Sequence, residues 1–112
     1  MQKSSSQQLQ AMRELAPKLT QVTEEVLFGD IWERTALSKR ERSMVTVAAL
    51  VVLYRLEQLP FHLNLALENG IPRETLAEII THLAFYAGWP TAASAVALLD
   101  QVAGSPDPSS TR

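Results

Sequence analysis

The 112-residue chain contains no cysteine. That absence excludes disulfides, thiolate zinc sites, iron–sulfur clusters, a cysteine nucleophile and all thiol redox chemistry. Histidine is scarce as well, with two residues, so imidazole chemistry has two places to reside. Neither sign of charge dominates: 10 Lys and Arg stand against 12 Asp and Glu, for a formal net charge of −2. With no basic block to grip a phosphate backbone, nucleic acid is excluded as an expected partner. Long hydrophobic runs are also missing. The longest, Met44 to Tyr54, contains Thr46, lies between Arg42 and Arg55, and is about half the ~20 residues that span a bilayer. The polar start, Met1 to Gln10, lacks the apolar region of a signal peptide. These absences point to a cytoplasmic protein with no membrane partner.

What remains is 46% hydrophobic and 20% charged, the balance of one ordinary globular domain. Strand signals are few. Gly and Pro punctuate the chain between segments of helical length, which predicts an all-α domain of five to six helices. A first helix is expected over Gln7 to Ala16, and a second from Pro17 to Phe28 with Gly29 as its stop. Ser38-Lys39-Arg40-Glu41 has capping-box spacing. The helix it opens should run to about Leu56 as the central element, because Met44 to Tyr54 is apolar on nearly every face. A shorter helix should begin between Glu57 and Pro60 and end at Asn69, with Gly70 as its left-handed cap. In the next helix, opening near Pro72, Leu76, Ile79, Ile80, Leu83 and Ala87 mark one buried face, and Gly88 closes it. The last helix should open at Pro90 and end at Gly104. Residues 1–15 therefore read as an N-terminal helical extension, 16–103 as the domain, and 104–112 as a disordered tail.

One stretch exceeds what a lone bundle needs. Leu83 to Ala97 is apolar or small nearly all round. Such a surface predicts packing against further copies of the chain, a homo-oligomer.

Two histidines and two arginines carry the candidate chemistry. His62 follows Gln58 by four residues and suits a general acid or base, or else a hydrogen-bonded residue at a helix start. Glu78, His82 and Tyr86 form a polar stripe at i, i+4 and i+8. There the carboxylate can orient the imidazole and raise its pKa, or the three can form a structural hydrogen-bond chain. Arg42 and Arg55 flank the apolar run and can clamp a carboxylate or simply snorkel from a buried helix. The histidines fall in no His-Glu-x-x-His pattern, and no metal site is expected. Trp32 and Trp89 read as packing or interface residues.

Taken together, Arg42-Ser43-Met44-Val45-Thr46-Val47-Ala48-Ala49-Leu50, Arg55, Leu59, His62-Leu63, Asn69-Gly70-Ile71 and Glu78 to Pro90 resemble the carboxymuconolactone decarboxylase family, as does Phe28-Gly29-Asp30-Ile31-Trp32 upstream. The resemblance covers about Ala16 to Leu99. It implies the all-helical fold shared with alkylhydroperoxidase D proteins, assembled as a trimer or hexamer. It also implies a cofactor-free lyase of aromatic catabolism that decarboxylates a carboxylated lactone or related organic acid by histidine acid–base catalysis. By that resemblance His62 becomes the catalytic acid, Glu57 its orienting carboxylate and Arg55 a holder of the substrate carboxylate. Arg42, His82 and Tyr86 remain as substrate-binding candidates. The peroxidase branch carries Cys-x-x-Cys where this chain has Arg55 and Gln58, so thiol peroxidase activity is excluded. Leu56 and Gln58 thin the acidic cluster of the motif, and Pro60 replaces a common basic residue. The other reading of the same residues is a non-catalytic helical assembly or binding protein of this fold.

Overall fold

The computed structural model describes residues 5–102. The expected 104–112 tail and the expected helix stop at Gly104 lie outside these residues. Among the described residues the chain is all-α: α1 (Ser5–Leu15), α2 (Pro17–Val22), a π-helical segment (Thr23–Phe28), a 3₁₀ turn (Ile31–Glu33), α3 (Lys39–Val52), α4 (Leu59–Glu68), α5 (Arg73–Ala87) and α6 (Trp89–Val102).

The core lies among α3 to α6. Val47 and Val51 of α3 meet Leu59, Leu63 and Ala66 of α4, Ile71 of the turn after it, Leu76 and Ile80 of α5, and Ala92, Ala95 and Leu99 of α6, all buried. Each fully buried Leu or Ile contributes about 1.5–3 kcal/mol relative to exposure. Ser43 is the buried polar residue within this layer, and its hydroxyl accepts from Asn69 Nδ2 at 3.0 Å, tying α3 to the end of α4. By contrast, α2 and the π segment contribute no buried residue. They form an outer layer beside the core, and α1 packs chiefly against α2.

The start of α3 forms as its spacing predicts. Ser38 Oγ accepts from the Glu41 N–H at 3.0 Å, and the Ser38 N–H donates to Glu41 Oε1 at 2.8 Å. The Ser38 backbone N–H, and after it the Ser38 hydroxyl, lowers the pKa of the Glu41 carboxyl from its ordinary value.

Its end does not match the expectation. Instead of reaching Leu56, α3 stops at Val52. Tyr54 takes φ 59°, while Tyr54 N–H bonds to Val51 O at 3.0 Å and Arg55 N–H to Leu50 O at 2.9 Å. This pair of bonds is a Schellman closure with tyrosine in the left-handed position usually given to glycine. A non-glycine residue there costs about 1–2 kcal/mol, and the phenol of Tyr54 is held by Ser94 Oγ at 3.3 Å. The end of α4 uses the same device with the usual residue. Gly70 N–H bonds to Leu67 O at 3.1 Å and Ile71 N–H to Ala66 O at 3.0 Å, with Gly70 at φ 93°.

Nor is α3 enclosed on every side. Val45 and Val52 are exposed, as are Leu53 and Tyr54 just beyond it. On α5 the anticipated buried face is present: Leu76 and Ile80 are buried, with Ile79 and Leu83 packed partly against the core. Phe85, Tyr86 and Trp89 around the α5–α6 junction remain 79%, 77% and 71% exposed. No helix among the described residues is long and apolar enough to cross a membrane.

Candidate functional site

The early end of α3 decides where His62 sits. Residues 53–58 turn before α4 begins at Leu59, with Gln58 as its N-cap and Pro60 in the first turn, where a missing N–H leaves no intrahelical bond unmade. His62 then falls one turn into α4 and faces the outer layer. Its ring lies against Trp32, with centroids 6.1 Å apart and planes inclined by 21°, and meets Phe61 edge-on at 5.0 Å. Phe28 stacks on Trp32 at 5.9 Å and meets the edge of Phe61 at 6.4 Å. Four aromatic rings thus form a closed circuit, one of them an imidazole.

The π segment supplies the outer side. Its wide turn brings Thr23, Leu27 and Phe28 to a cavity of about 220 Å³ that Gln58, Phe61 and His62 line from α4 and Gln8, Leu9 and Met12 line from α1. π-helical turns often mark functional sites because they displace a side chain from the helical register. Gly29 follows directly. A Cβ there would stand 2.7 Å from the carbonyl oxygen of Glu25 and 2.8 Å from that of Glu24, so the turn closes only over glycine. A second cavity of about 240 Å³ lies across Phe28 and Phe61, bounded by Trp32, Glu33, Lys39, Leu65 and Asn69. Its cation is engaged: Lys39 Nζ is 2.7 Å from Glu33 Oε2 and 3.4 Å from the Trp32 carbonyl oxygen.

His62 Nδ1 is buried with no hydrogen-bond partner among the described residues. Burial pushes the imidazole pKa below its ordinary value, because the charged form loses hydration. Near neutral pH the resting ring is therefore uncharged, with one nitrogen able to donate and the other to accept.

The other candidate residues are distributed. Glu57, just before α4, accepts from Gln8 Nε2 at 3.4 Å, which ties it to α1. Arg55 is exposed in the turn after α3, and Arg42 Nη2 donates to the Arg34 carbonyl oxygen at 3.1 Å. Neither arginine lines the His62 cavity. His82 and Tyr86 lie on the exposed side of α5, their rings 5.1 Å apart. The ion pairs recorded among the described residues are Lys39–Glu33 and Arg73–Asp100, so Glu78 forms none with His82. Among the described residues no three His, Asp or Glu side chains converge on a possible metal position. Within one chain, then, the structure brings together His62 and Gln58 and leaves the arginines and the second histidine elsewhere.

Sequence reasoning missed Phe28, Trp32, Phe61, Thr23 and Leu27 as site residues. The four-residue spacing of Phe28 and Trp32 was a visible signal. What it lacked was any indication that the partner across the fold is a histidine.

The model of the carboxymuconolactone decarboxylase family matches residues 17–101. A 4-carboxymuconolactone decarboxylase from Acinetobacter baylyi is 36% identical over 75 residues, which is 67% of this chain and 56% of that protein. A nitrosuccinic acid decarboxylase from Metarhizium robertsii is 28% identical over 69 residues, 62% of this chain and 48% of that protein. The chain thus spans about half the length of the curated relatives it matches.

Proposed function

The chain belongs to the carboxymuconolactone decarboxylase family, and from that premise we propose that it is a cofactor-independent carboxy-lyase acting on a carboxylated lactone or related small organic acid, with His62 as the general acid. The observation that carries this reading is the placement of His62: a half-buried imidazole on the wall of a mostly apolar cavity, with one nitrogen free of protein partners. Both relatives described above are named as decarboxylases, which supports the reaction class.

The chemistry follows from the resting state of that imidazole. Entry of a substrate carboxylate places an anion beside a neutral ring, and an opposite charge within ~4–6 Å favours the imidazolium. Substrate binding therefore draws in a proton. The carbon–carboxylate bond then breaks, CO₂ leaves, and its electron pair passes into the conjugated system of the substrate. The imidazolium transfers its proton to the carbanionic carbon, and solvent restores the proton for the next turnover. Partial burial of the ring against Trp32 and Phe61 strengthens each of these electrostatic effects. Gln58, one turn before His62, is placed to hold a substrate oxygen. Glu57 acts from outside the cavity by fixing the start of α4, and Arg55 serves as a surface attraction for anions. His82 and Tyr86 belong to a different surface, the apolar α5–α6 face with Phe85 and Trp89, through which the chain forms a homo-oligomer, a trimer or hexamer.

The test is release of CO₂ from 4-carboxymuconolactone and a panel of small acids that lose CO₂ to a stabilised carbanion, comparing wild type with His62→Ala. Turnover should depend on His62. Its pH profile should show kcat/KM, which reports the free enzyme, falling through a midpoint below the ordinary histidine value, and kcat falling at higher pH. Turnover of any panel member that persists in His62→Ala, or no turnover of any member, overturns the proposal.

A further inference from the structure

The cavity that holds His62 is closed by an element outside the family match. Gln8, Leu9 and Met12 come from α1, whereas the matched residues begin at 17. Leu9 and Met12 face Leu27, Phe28 and Phe61 across the cavity, so the wall opposite the family scaffold is apolar apart from Gln8. α1 packs chiefly on α2, its link to that helix passes through Ala16 with φ −138° and ψ 65°, and Gln8 ties it to Glu57 at the start of α4.

Among the described residues the lining contains no lysine or arginine. A ligand with one carboxylate can direct it to His62 and Gln58. A second carboxylate would be held against Leu9, Met12 and Phe61 without a counter-charge, an arrangement that costs several times a neutral contact. The volume, about 220 Å³, lies below the ~300–1,000 Å³ of drug-sized sites, so the ligand is compact.

We propose that α1 is the specificity wall of this site, with Leu9 and Met12 receiving the apolar body of a small monocarboxylic acid whose carboxylate meets His62 and Gln58. The inference rests on the reading of His62 as the reacting group and narrows the substrate class that reading leaves open. It also assigns a function to residues that lie outside the family-matched segment.

The experiment uses the full chain, labelled at the methionine methyls and the histidine rings, titrated by NMR with benzoate and, separately, with succinate. Benzoate should shift both the Met12 methyl and the His62 ring in one saturating transition, at lower concentration than succinate. Leu9→Ala and Met12→Ala should each weaken benzoate on the order of tenfold, the scale set by small losses of apolar contact in a pocket, and leave succinate unchanged. Met12→Leu should restore benzoate binding. Both alanine positions lie outside the core, and circular dichroism melting confirms that the variants are folded. If benzoate shifts His62 but not Met12, or binds the alanine variants as it binds wild type, the wall is not α1, and the His62 reading stands. If benzoate shifts neither, or succinate binds more tightly, the inference is overturned, and the CO₂-release assay decides the His62 reading separately.

Discussion

Two histidines separated by 20 positions in this chain look alike as sequence and unlike as structure. Each has a polar residue four positions before it and a place on a helix. His62 ends up half-buried in a circuit of aromatic rings at the edge of a cavity. His82 ends up exposed on α5, touching Tyr86 alone among the rings. Local spacing therefore did not separate them. What separates them is the layer packed on top: α1 and the π segment face the start of α4 across the cavity, and His82 and Tyr86 are left exposed on the outer side of α5. A site needs walls, and here the N-terminal third of the described chain supplies them.

The comparison can be broken most decisively at the site itself. His62→Ala should lower CO₂ release by about 10²–10⁴-fold, the range for a positioned acid–base group, as read by steady-state kinetics on a substrate the wild type consumes. A large but different effect belongs to the uncovered side. If the exposed α5–α6 face joins copies of the chain as proposed, Phe85→Glu combined with Trp89→Glu should give a species of monomeric mass in sedimentation where the wild type is larger. Binding at the His62 cavity should be retained. If the wild type already sediments as a monomer, the apolar α5–α6 face has another purpose.

Within α5 the two sides should differ in stability. Ile80→Ala should cost about 2–5 kcal/mol in denaturant unfolding, as expected for a buried isoleucine truncated to alanine. A smaller effect is expected at the caps. Ser38→Ala should cost about 1 kcal/mol through loss of the capping box. Gly70→Ala should cost about 1–2 kcal/mol through its left-handed backbone alone, since an added Cβ meets nothing within 4 Å.

The gentlest probe is pH. The folded-state pKa of His62 is lowered, so below the ordinary value of about 6.5 the unfolded chain binds the proton more readily. Stability should be intact above that value and decline as pH falls from it through the folded pKa. His62→Leu should lose that part of the pH dependence, measured by urea unfolding at a series of pH values.

Much of the fold was legible because its signals are local. The Ser38–Glu41 capping box, the Gly70 cap and the Leu76/Ile80 face each follow from residues a turn or two apart, and each is present. The end of α3 was not legible. The apolar pattern extends the helix to Leu56 because tyrosine carries no stop signal, whereas the actual stop is a Schellman closure at Tyr54 supported by Ser94, forty residues away. The site shows the same divide. His62 could be singled out from its type and its motif. Its aromatic neighbours Phe28 and Trp32 could not, because their contacts with α4 join segments about thirty residues apart. Arg42 shows how far local pattern reaches: its place beside an apolar run suits a substrate clamp or a snorkelling residue alike, and the donation of its Nη2 to the Arg34 carbonyl oxygen joins segments eight residues apart.

The most direct test of this account is a side-by-side measurement of CO₂ release by His62→Ala and His82→Ala, both confirmed to have the wild-type sedimentation mass. The account predicts that the first loses about 10²-fold or more while the second stays near wild type. Equal losses in both, or a greater loss in His82→Ala, would contradict the assignment of the chemistry to the cavity beneath α1.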